Sequence, residues 1–469
     1  AEAAAPSPAL RGPGHRAELD PGQWWQAAAA ALRRAVAGAG RPPRDYAGLT
    51  ASSLRQGFVL TDGANEVGPG VLNSDRRGAS HLDRLRRQVG AGALYALTGH
   101  WPAPELTLPK LLHLAERQPE RWAATRQVLF VHDWALWRLC GRGRAATEAS
   151  YACAGQLADV ARRAWATDLL DELGIGTGRL APLVEAGTVV GALQISDLGL
   201  PVGLPVVAGG GDTQLAAMGA GGLADGVVTV VAGSSTPVQA AAAHVVRDPE
   251  RRPWVSTHLR PDRWAVETNA GYPGTMLRWL GDVTGTGPAQ LWERAGASRP
   301  GAGGVTAVVA SPCWSEAAWA TKAPNTVVGL RPTTTDADLA RAFVEAHAFA
   351  IRANLADLEA ALGRPAAAVV VTGGAAAEPA FPALLAEVLG RDLVVPAAAQ
   401  PAALAGAALV ARATGCPGAE PAVATRTIPA GDPAPYADAY QRFLDAHAAL
   451  RAHLPEDDAH EGAGVRAPA

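Results

Sequence analysis

Three runs of small apolar residues in this chain end in glycine. Leu204-Pro-Val-Val-Ala208 leads into Gly209-Gly-Gly-Asp-Thr-Gln214, and Val227 to Val231 leads into Gly233-Ser-Ser-Thr236. Ala368 to Val371 leads into Thr372-Gly-Gly-Ala375. Residues without a Cβ let the backbone approach a ligand closely, and consecutive N–H groups in such turns make nests that hold anions. One turn of this kind is ordinary, since glycine often follows a strand. Three, two of them carrying hydroxyl or carboxylate side chains, suggest a site for a phosphorylated ligand. None has the Gly-Lys-Ser/Thr of a Walker A loop, and none is a Gly-x-Gly-x-x-Gly opening a helix. Asp212 is the sharpest candidate for chemistry. A carboxylate just beyond a buried strand can take a proton from a hydroxyl, and phosphoryl transfer asks little more of the protein at that atom. The competing reading is that Asp212 caps the helix that starts at Thr213. Hydrolase chemistry on Ser234 or Ser235 lacks a Gly-x-Ser-x-Gly elbow, and no His-x-x-x-His pair offers a helical metal site.

The elements that must position these residues are legible in outline. Asp20-Pro21-Gly22-Gln23 supplies an N-cap acceptor, proline at the first helical position and Gln where a capping box wants it, so a helix is expected over Trp24 to Val36. Further helices are expected at 110–116, 132–139, 166–173, 338–362 and 440–453. Strands are expected at 204–208, 227–231, 368–371 and 392–395. Short strands alternating with long helices predict an α/β chain with sheets buried on both faces.

The ordered set of motifs resembles the FGGY carbohydrate kinases. The resemblance rests on Leu204 to Gln214, Gly233 to Thr236 and Val371 to Ala375, joined by Ala51 to Leu60, Gly70 to Arg77, Thr107 to Leu112, His132 to Gly141, Ala146 to Glu148 and Gly329-Leu330 ahead of the helix carrying Glu345. It covers nearly all of the chain from Glu18 to about Arg451. It implies two actin-like (ribonuclease H-like) domains with an interdomain cleft: a substrate domain over 1–222, an ATP domain over 223–454 and a disordered tail over 455–469. By the same resemblance Asp212 is the general base, and Arg55, Gln56, Asn73, Asp75, Arg77, Thr213 and Gln214 are substrate contacts or their supports. Gly233, Ser234, Ser235 and Thr236, with Gly373 and Gly374, fall on the nucleotide loops; Tyr272 and Met276 could equally line an adenine pocket or pack a helix. For Asp75 and Arg77 a structural salt bridge is nearly as good a reading as substrate contact.

The implied reaction is ATP-dependent phosphorylation of a hydroxyl on a small sugar or polyol, with Mg²⁺ on the phosphates and no metal ligand assigned in the chain. Ser53-Leu-Arg-Gln-Gly57 and Asn73-x-Asp-x-Arg77 look closest to the family's autoinducer-2 kinase branch, with a related polyol or ketose as the neighbouring choice. The chain departs from the family in one large respect. The opening Asp-x-Gly-Thr hairpin does not occur, so the first domain is expected to lack that hairpin, and the chain, which has no initiator methionine, reads as truncated. That departure supports an alternative, a catalytically impaired sugar- or nucleotide-binding regulator on a kinase scaffold. His113 replaces a frequent Trp, and Gln400-Pro401 replaces a frequent Glu.

Composition is consistent with this. The 469 residues carry 41 Lys plus Arg against 44 Asp plus Glu, a net charge of −3, which gives no general pull toward nucleic acid or anionic membrane. No apolar run is long enough to span a bilayer. Four dispersed cysteines, at 140, 153, 313 and 416, argue against a disulfide framework and for a reducing compartment, so a cytoplasmic protein is expected. Pairing into a homodimer is left open.

Overall fold

The computed structural model describes the chain except residues 7–8, 13–15, 223, 317, 319–324, 399, 417–422 and 453–469. The expected 455–469 tail lies outside the described residues. Local signals act where the sequence places them. Asp20 caps the helix Pro21–Ala39, its Oδ1 accepting from the Gln23 N–H at 2.9 Å, and the helix ends on Gly40 in the left-handed conformation. The long helix runs Asp336–Leu362 behind a Thr335/Asp338 capping box, two residues earlier than the apolar pattern suggests. The valine runs form Pro205–Gly211, Val227–Val231, Ala368–Thr372 and Leu393–Pro396. The first of these extends through all three glycines, because the glycine segment pairs with Ser52 and Ser53 on its neighbour.

The chain forms two compact units. The first comprises Ala1–Leu215 with Val255–Trp264 and Ala402–Pro421; the second comprises Ala216–Trp254, Ala265–Pro401 and Ala422–Ala469. Neither unit is a single stretch of sequence.

In the first unit, five strands lie in the order Ala9–Gly12, Arg16–Leu19, Gly70–Val71, Phe58–Thr61, Gln127–Phe130, and every pair is antiparallel. The strand Phe58–Thr61, flanked on both sides within this sheet, is fully buried along its length, so both faces are covered there although the sheet is not parallel. A second sheet orders Val189–Ala192, Pro205–Gly211 and Leu49–Ser53, the last two parallel. Leu49–Ser53 is the edge of that sheet, and helix Pro401–Thr414 packs against it, with a Cβ on Gly406 falling 2.9 Å from Thr50 Cγ2. Neither Ala9–Gly12 nor Arg16–Leu19 carries an Asp-x-Gly-Thr sequence. In the second unit Val227–Val231 pairs antiparallel with Pro237–Ala242 and parallel with Ala368–Thr372. The sheet continues through Leu393–Pro396, parallel, to Thr425–Ile428, antiparallel.

Candidate active site

Asp212 is the first residue of the helix Asp212–Gly219 and follows directly on the strand Pro205–Gly211. Its Oδ1 accepts from the Thr213 N–H at 2.7 Å and the Thr213 hydroxyl at 3.2 Å, while the residue stays exposed. The helix thus begins at Asp212 itself, and the carboxylate bonds its neighbour while remaining accessible. The two strands that meet here approach closely: a Cβ on Gly209 would stand 2.0 Å from the Ala51 carbonyl oxygen, and one on Gly211 would stand 3.0 Å from Arg55 Cδ. Glycine at 211 thus lets the Arg55 side chain lie across the backbone just before Asp212. The base candidate and the guanidinium candidate, far apart in sequence, are neighbours.

A buried network fixes that strand end. Tyr151 OH donates to the Gly210 carbonyl at 2.9 Å and accepts from the Ser53 N–H at 3.0 Å, tying together the strands Leu49–Ser53 and Pro205–Gly211. Burial, with the Asp212 charge contributing, pushes the Tyr151 hydroxyl well above its ordinary range, so it remains a donor. His132 stacks on the Tyr151 ring at 4.8 Å and accepts from the Gly209 N–H through Nε2 at 3.1 Å. Its Nδ1 lies 2.8 Å from Asp133 Oδ1, which fixes the tautomer with the proton on Nδ1. Sequence reasoning did not assign Tyr151, His132 or Ser53 to the site. The signal available was the adjacent His132-Asp133 pair, and nothing local says which backbone it holds.

Tyr151 sits on the helix Ala149–Ala154, capped by Glu148, whose carboxylate accepts from the Ser150 N–H at 3.1 Å and from the Ser150 hydroxyl. Burial pushes the Glu148 carboxyl up to about 8, with Asp133 and Glu185 adding to the rise against the Ser150 bonds. A folded value above the ordinary 4.5 makes a stabilising contribution that is complete below that value and disappears as pH rises through about 8. In Glu148→Gln this dependence should flatten. From about pH 5 to about pH 9, wild type should lose about 3–5 °C of Tm relative to the variant. Parallel melting curves across that range check it, and superimposable pH profiles refute it.

The remaining substrate-side candidates divide. Gln56 is a buried residue at φ 63°, its carbonyl accepting from the Thr107 hydroxyl at 3.1 Å. Asn73 is half-buried at the neighbouring turn, with Oδ1 on the Ser74 N–H at 3.0 Å. Asp75 and Arg77 are buried in an ion network instead of facing outward. Arg77 binds both Asp75 oxygens at 2.8 and 2.7 Å and Glu18 at 2.6 Å, and Asp75 also accepts from the Ala17 N–H at 2.8 Å. Burial opposes ionisation of Asp75, but the Arg77 bonds outweigh it and hold the carboxyl below its usual range. These two residues support the turn. Gln214 is likewise turned inward, donating to the Thr257 carbonyl at 3.0 Å.

In the second unit the two glycine loops emerge side by side, because the strands they follow are parallel neighbours with Val231 opposite Thr372. The Ala232 N–H donates to the Thr372 carbonyl at 2.7 Å, and the Ala375 N–H donates to the Ala232 carbonyl at 2.9 Å. Gly373 adopts φ 94°, ψ 178°, a conformation essentially confined to glycine, and a Cβ there would stand 2.7 Å from the Ala232 carbonyl oxygen. Gly274 packs against the first loop, its added Cβ 2.1 Å from the Gly233 carbonyl oxygen. Ser234 is exposed and Ser235 half-buried, whereas Thr236 is buried with its hydroxyl 2.8 Å from His347 Nε2. Burial lowers His347 to about 3, so the imidazole is neutral and anchors the loop from beneath. Tyr272 is exposed and Met276 is half-buried, 3.1 Å from the Asn325 amide. Among the described residues, no three His, Cys, Asp or Glu side chains gather into a cation site, and no helix is long and apolar enough to cross a membrane.

Residues 2–219 match the N-terminal domain of the FGGY family of carbohydrate kinases, and residues 228–414 match its C-terminal domain. The autoinducer-2 kinase of Escherichia coli (strain K12) is 29% identical over 409 residues, covering 82% of this chain and 76% of that protein. YoaC of Bacillus subtilis (strain 168) is 34% identical over 248 residues, 51% of this chain and 48% of that protein, so the match spans about half of that relative's length. Among solved structures, a xylulose kinase from Rhodospirillum rubrum superposes with a TM-score of 0.80 at 27% identity, covering 96% of this chain and 93% of that one. With both family domains matched in order over most of its length, and with the α/β fold shared with a family kinase of known structure, the chain belongs to the FGGY family of carbohydrate kinases, whose chemistry is phosphotransfer to an alcohol group.

Proposed function

We propose that this protein phosphorylates a hydroxyl of a small, linear hydroxylated carbonyl compound from ATP, with the autoinducer-2 precursor 4,5-dihydroxy-2,3-pentanedione as first candidate and ketoses or polyols next. The observation that carries the reading is the accessible Asp212 carboxylate held at a rigid strand end with Arg55 packed over Gly211. The similarity to autoinducer-2 kinases supports the choice of acceptor. Asp212 takes the proton from the accepting hydroxyl as its oxygen bonds to the γ-phosphorus, and the bond from that phosphorus to the bridging oxygen breaks to release ADP. Arg55, Gln56 and Asn73 orient the acceptor on the substrate domain, which we take as residues 1–222. The amides of Gly233, Ser234, Ser235, Gly373 and Gly374 hold the phosphates on the ATP domain, 223–454. Mg²⁺ is carried in by the nucleotide's own phosphates, a mode that needs at most one or two protein carboxylates.

An acceptor screen coupled to ADP release tests this, using 4,5-dihydroxy-2,3-pentanedione, D-xylulose, D-ribulose, erythritol and glycerol. The expected result is the highest kcat/KM with the first. In Arg55→Ala the KM for that acceptor should rise about tenfold with the KM for ATP unchanged, the loss of one charge-assisted contact. A clear preference for D-xylulose would overturn the choice of acceptor. Sugar or nucleotide binding without ADP release from any of the five would replace the kinase reading with that of a regulator on a kinase scaffold.

A further inference from the structure

Lys110 is a fully buried lysine in the first turn of the helix Thr107–Arg117. Its Nζ points at three main-chain carbonyls: Leu72 at 2.8 Å, Asn73 at 3.1 Å and Gln56 at 3.4 Å. An ammonium has three N–H donors and no acceptor, so three carbonyls saturate it. The three belong to two different turns, one carrying Arg55 and Gln56, the other carrying Asn73 and Asp75. These turns touch at Gly57, where a Cβ would stand 3.1 Å from the Val71 carbonyl oxygen and 3.4 Å from the Asn73 nitrogen. The helix reaches them because Gly78 lets its backbone come in, a Cβ there falling 2.8 Å from the Lys110 nitrogen. Gln56 is held in the left-handed region at φ 63°, a conformation unfavourable for a residue with a Cβ. Bonds from Lys110 and Thr107 to its carbonyl maintain that conformation.

We propose that Lys110 is a positioning residue that clasps the two acceptor-side turns in fixed register, so that the Arg55–Gln56 and Asn73 side chains present one surface to the substrate. The proposal rests on the reading of those turns as the acceptor site. The charged groups facing the ammonium are Asp75 and Glu105, which favour it, and Arg77, which opposes it; Glu105 is itself paired with Arg76 at 3.4 Å. Burial dominates and lowers Lys110 to about 7. Above that pH the amine keeps two donors for three carbonyls, and the clasp loosens. Global stability moves the other way. A lysine lowered in the fold contributes stability that is present above its ordinary value of 10.5 and lost as pH falls through about 7, so a local loosening cannot be mistaken for general unfolding.

Amide hydrogen exchange over 52–57 and 70–75, corrected for the intrinsic pH dependence, reads the clasp directly. In wild type the protection of both segments should fall about tenfold between about pH 6 and about pH 8.5, the loss of one charge-assisted bond. Lys110→Met should lack that protection at both pH values while the Phe58–Thr61 strand stays protected. Lys110→Arg, charged throughout, should show no pH step. With 4,5-dihydroxy-2,3-pentanedione as acceptor, Lys110→Met should raise KM about tenfold with kcat within about twofold. Unchanged protection of the two turns in folded Lys110→Met overturns the proposal. Should that variant fail to fold, turn protection and acceptor KM unchanged in Lys110→Gln, which has only two N–H donors for the three carbonyls, overturn it equally. If Arg55→Ala leaves acceptor KM unaltered, the acceptor-site reading fails on its own, whereas an effect of Arg55→Ala with none from Lys110→Met removes only the clasp.

Discussion

Asp212→Asn should lower phosphoryl transfer by about 10²–10⁴-fold while leaving ATP affinity within about twofold, the range expected for removing a general base. The asparagine side chain keeps the oxygen that accepts from the Thr213 N–H and hydroxyl, so the start of the helix Asp212–Gly219 is preserved. The strand end is preserved too, since the Tyr151 and His132 bonds go to the backbones of Gly210 and Gly209. What is lost is the ability to take a proton. ADP-release kinetics with a separate nucleotide titration distinguish the two effects. If more than about a tenth of the wild-type rate survives, Asp212 is only a helix cap, because a base is rarely worth so little.

The second large effect is expected from a single methyl group in the other unit. Gly373→Ala places a Cβ 2.7–3.0 Å from three backbone atoms of Ala232, at a backbone conformation with φ 94°. Relief requires Thr372–Ala375 to move away from Ala232, and Ala232 is bonded to both ends of that segment. Strain of this kind costs about 1–3 kcal/mol for the conformation alone, and the clash with fixed backbone adds to it. ATP affinity should therefore fall by about 10²-fold, with acceptor binding to the first unit unaffected. The neighbouring Gly374 has nothing within 4 Å of an added Cβ, so Gly374→Ala serves as the control, with a loss below about fivefold. Nucleotide titrations of the two variants check the contrast. Equal losses would mean that the loop acts through its flexibility and not through its close approach to Ala232.

Much of this protein was legible before any coordinates. The strands that carry the glycine loops, the Asp20 cap and the family resemblance all depend on residues consecutive in sequence, where valine's preference for extended backbone and glycine's freedom from a Cβ act locally. The side chains within those motifs were not legible. Thr236 and Gln214 stand beside residues that face outward, yet each is turned into the interior by a partner from a distant segment, His347 and Thr257. Asp75 and Arg77 could have faced a substrate or each other. The choice was made by Glu18 and the Ala17 N–H on the adjacent strand, which complete a buried ion network at that point.

By itself, then, the sequence determined the class of fold, the family and Asp212 as the residue to test, since each is written in short runs. Only the tertiary structure decided that Arg55 lies across Gly211 beside Asp212, that Tyr151 and His132 hold the strand behind it, and that one buried lysine gathers three carbonyls from two turns. Such contacts join residues far apart along the chain, and burial changes their charge and hydrogen-bonding behaviour in ways that spacing does not record.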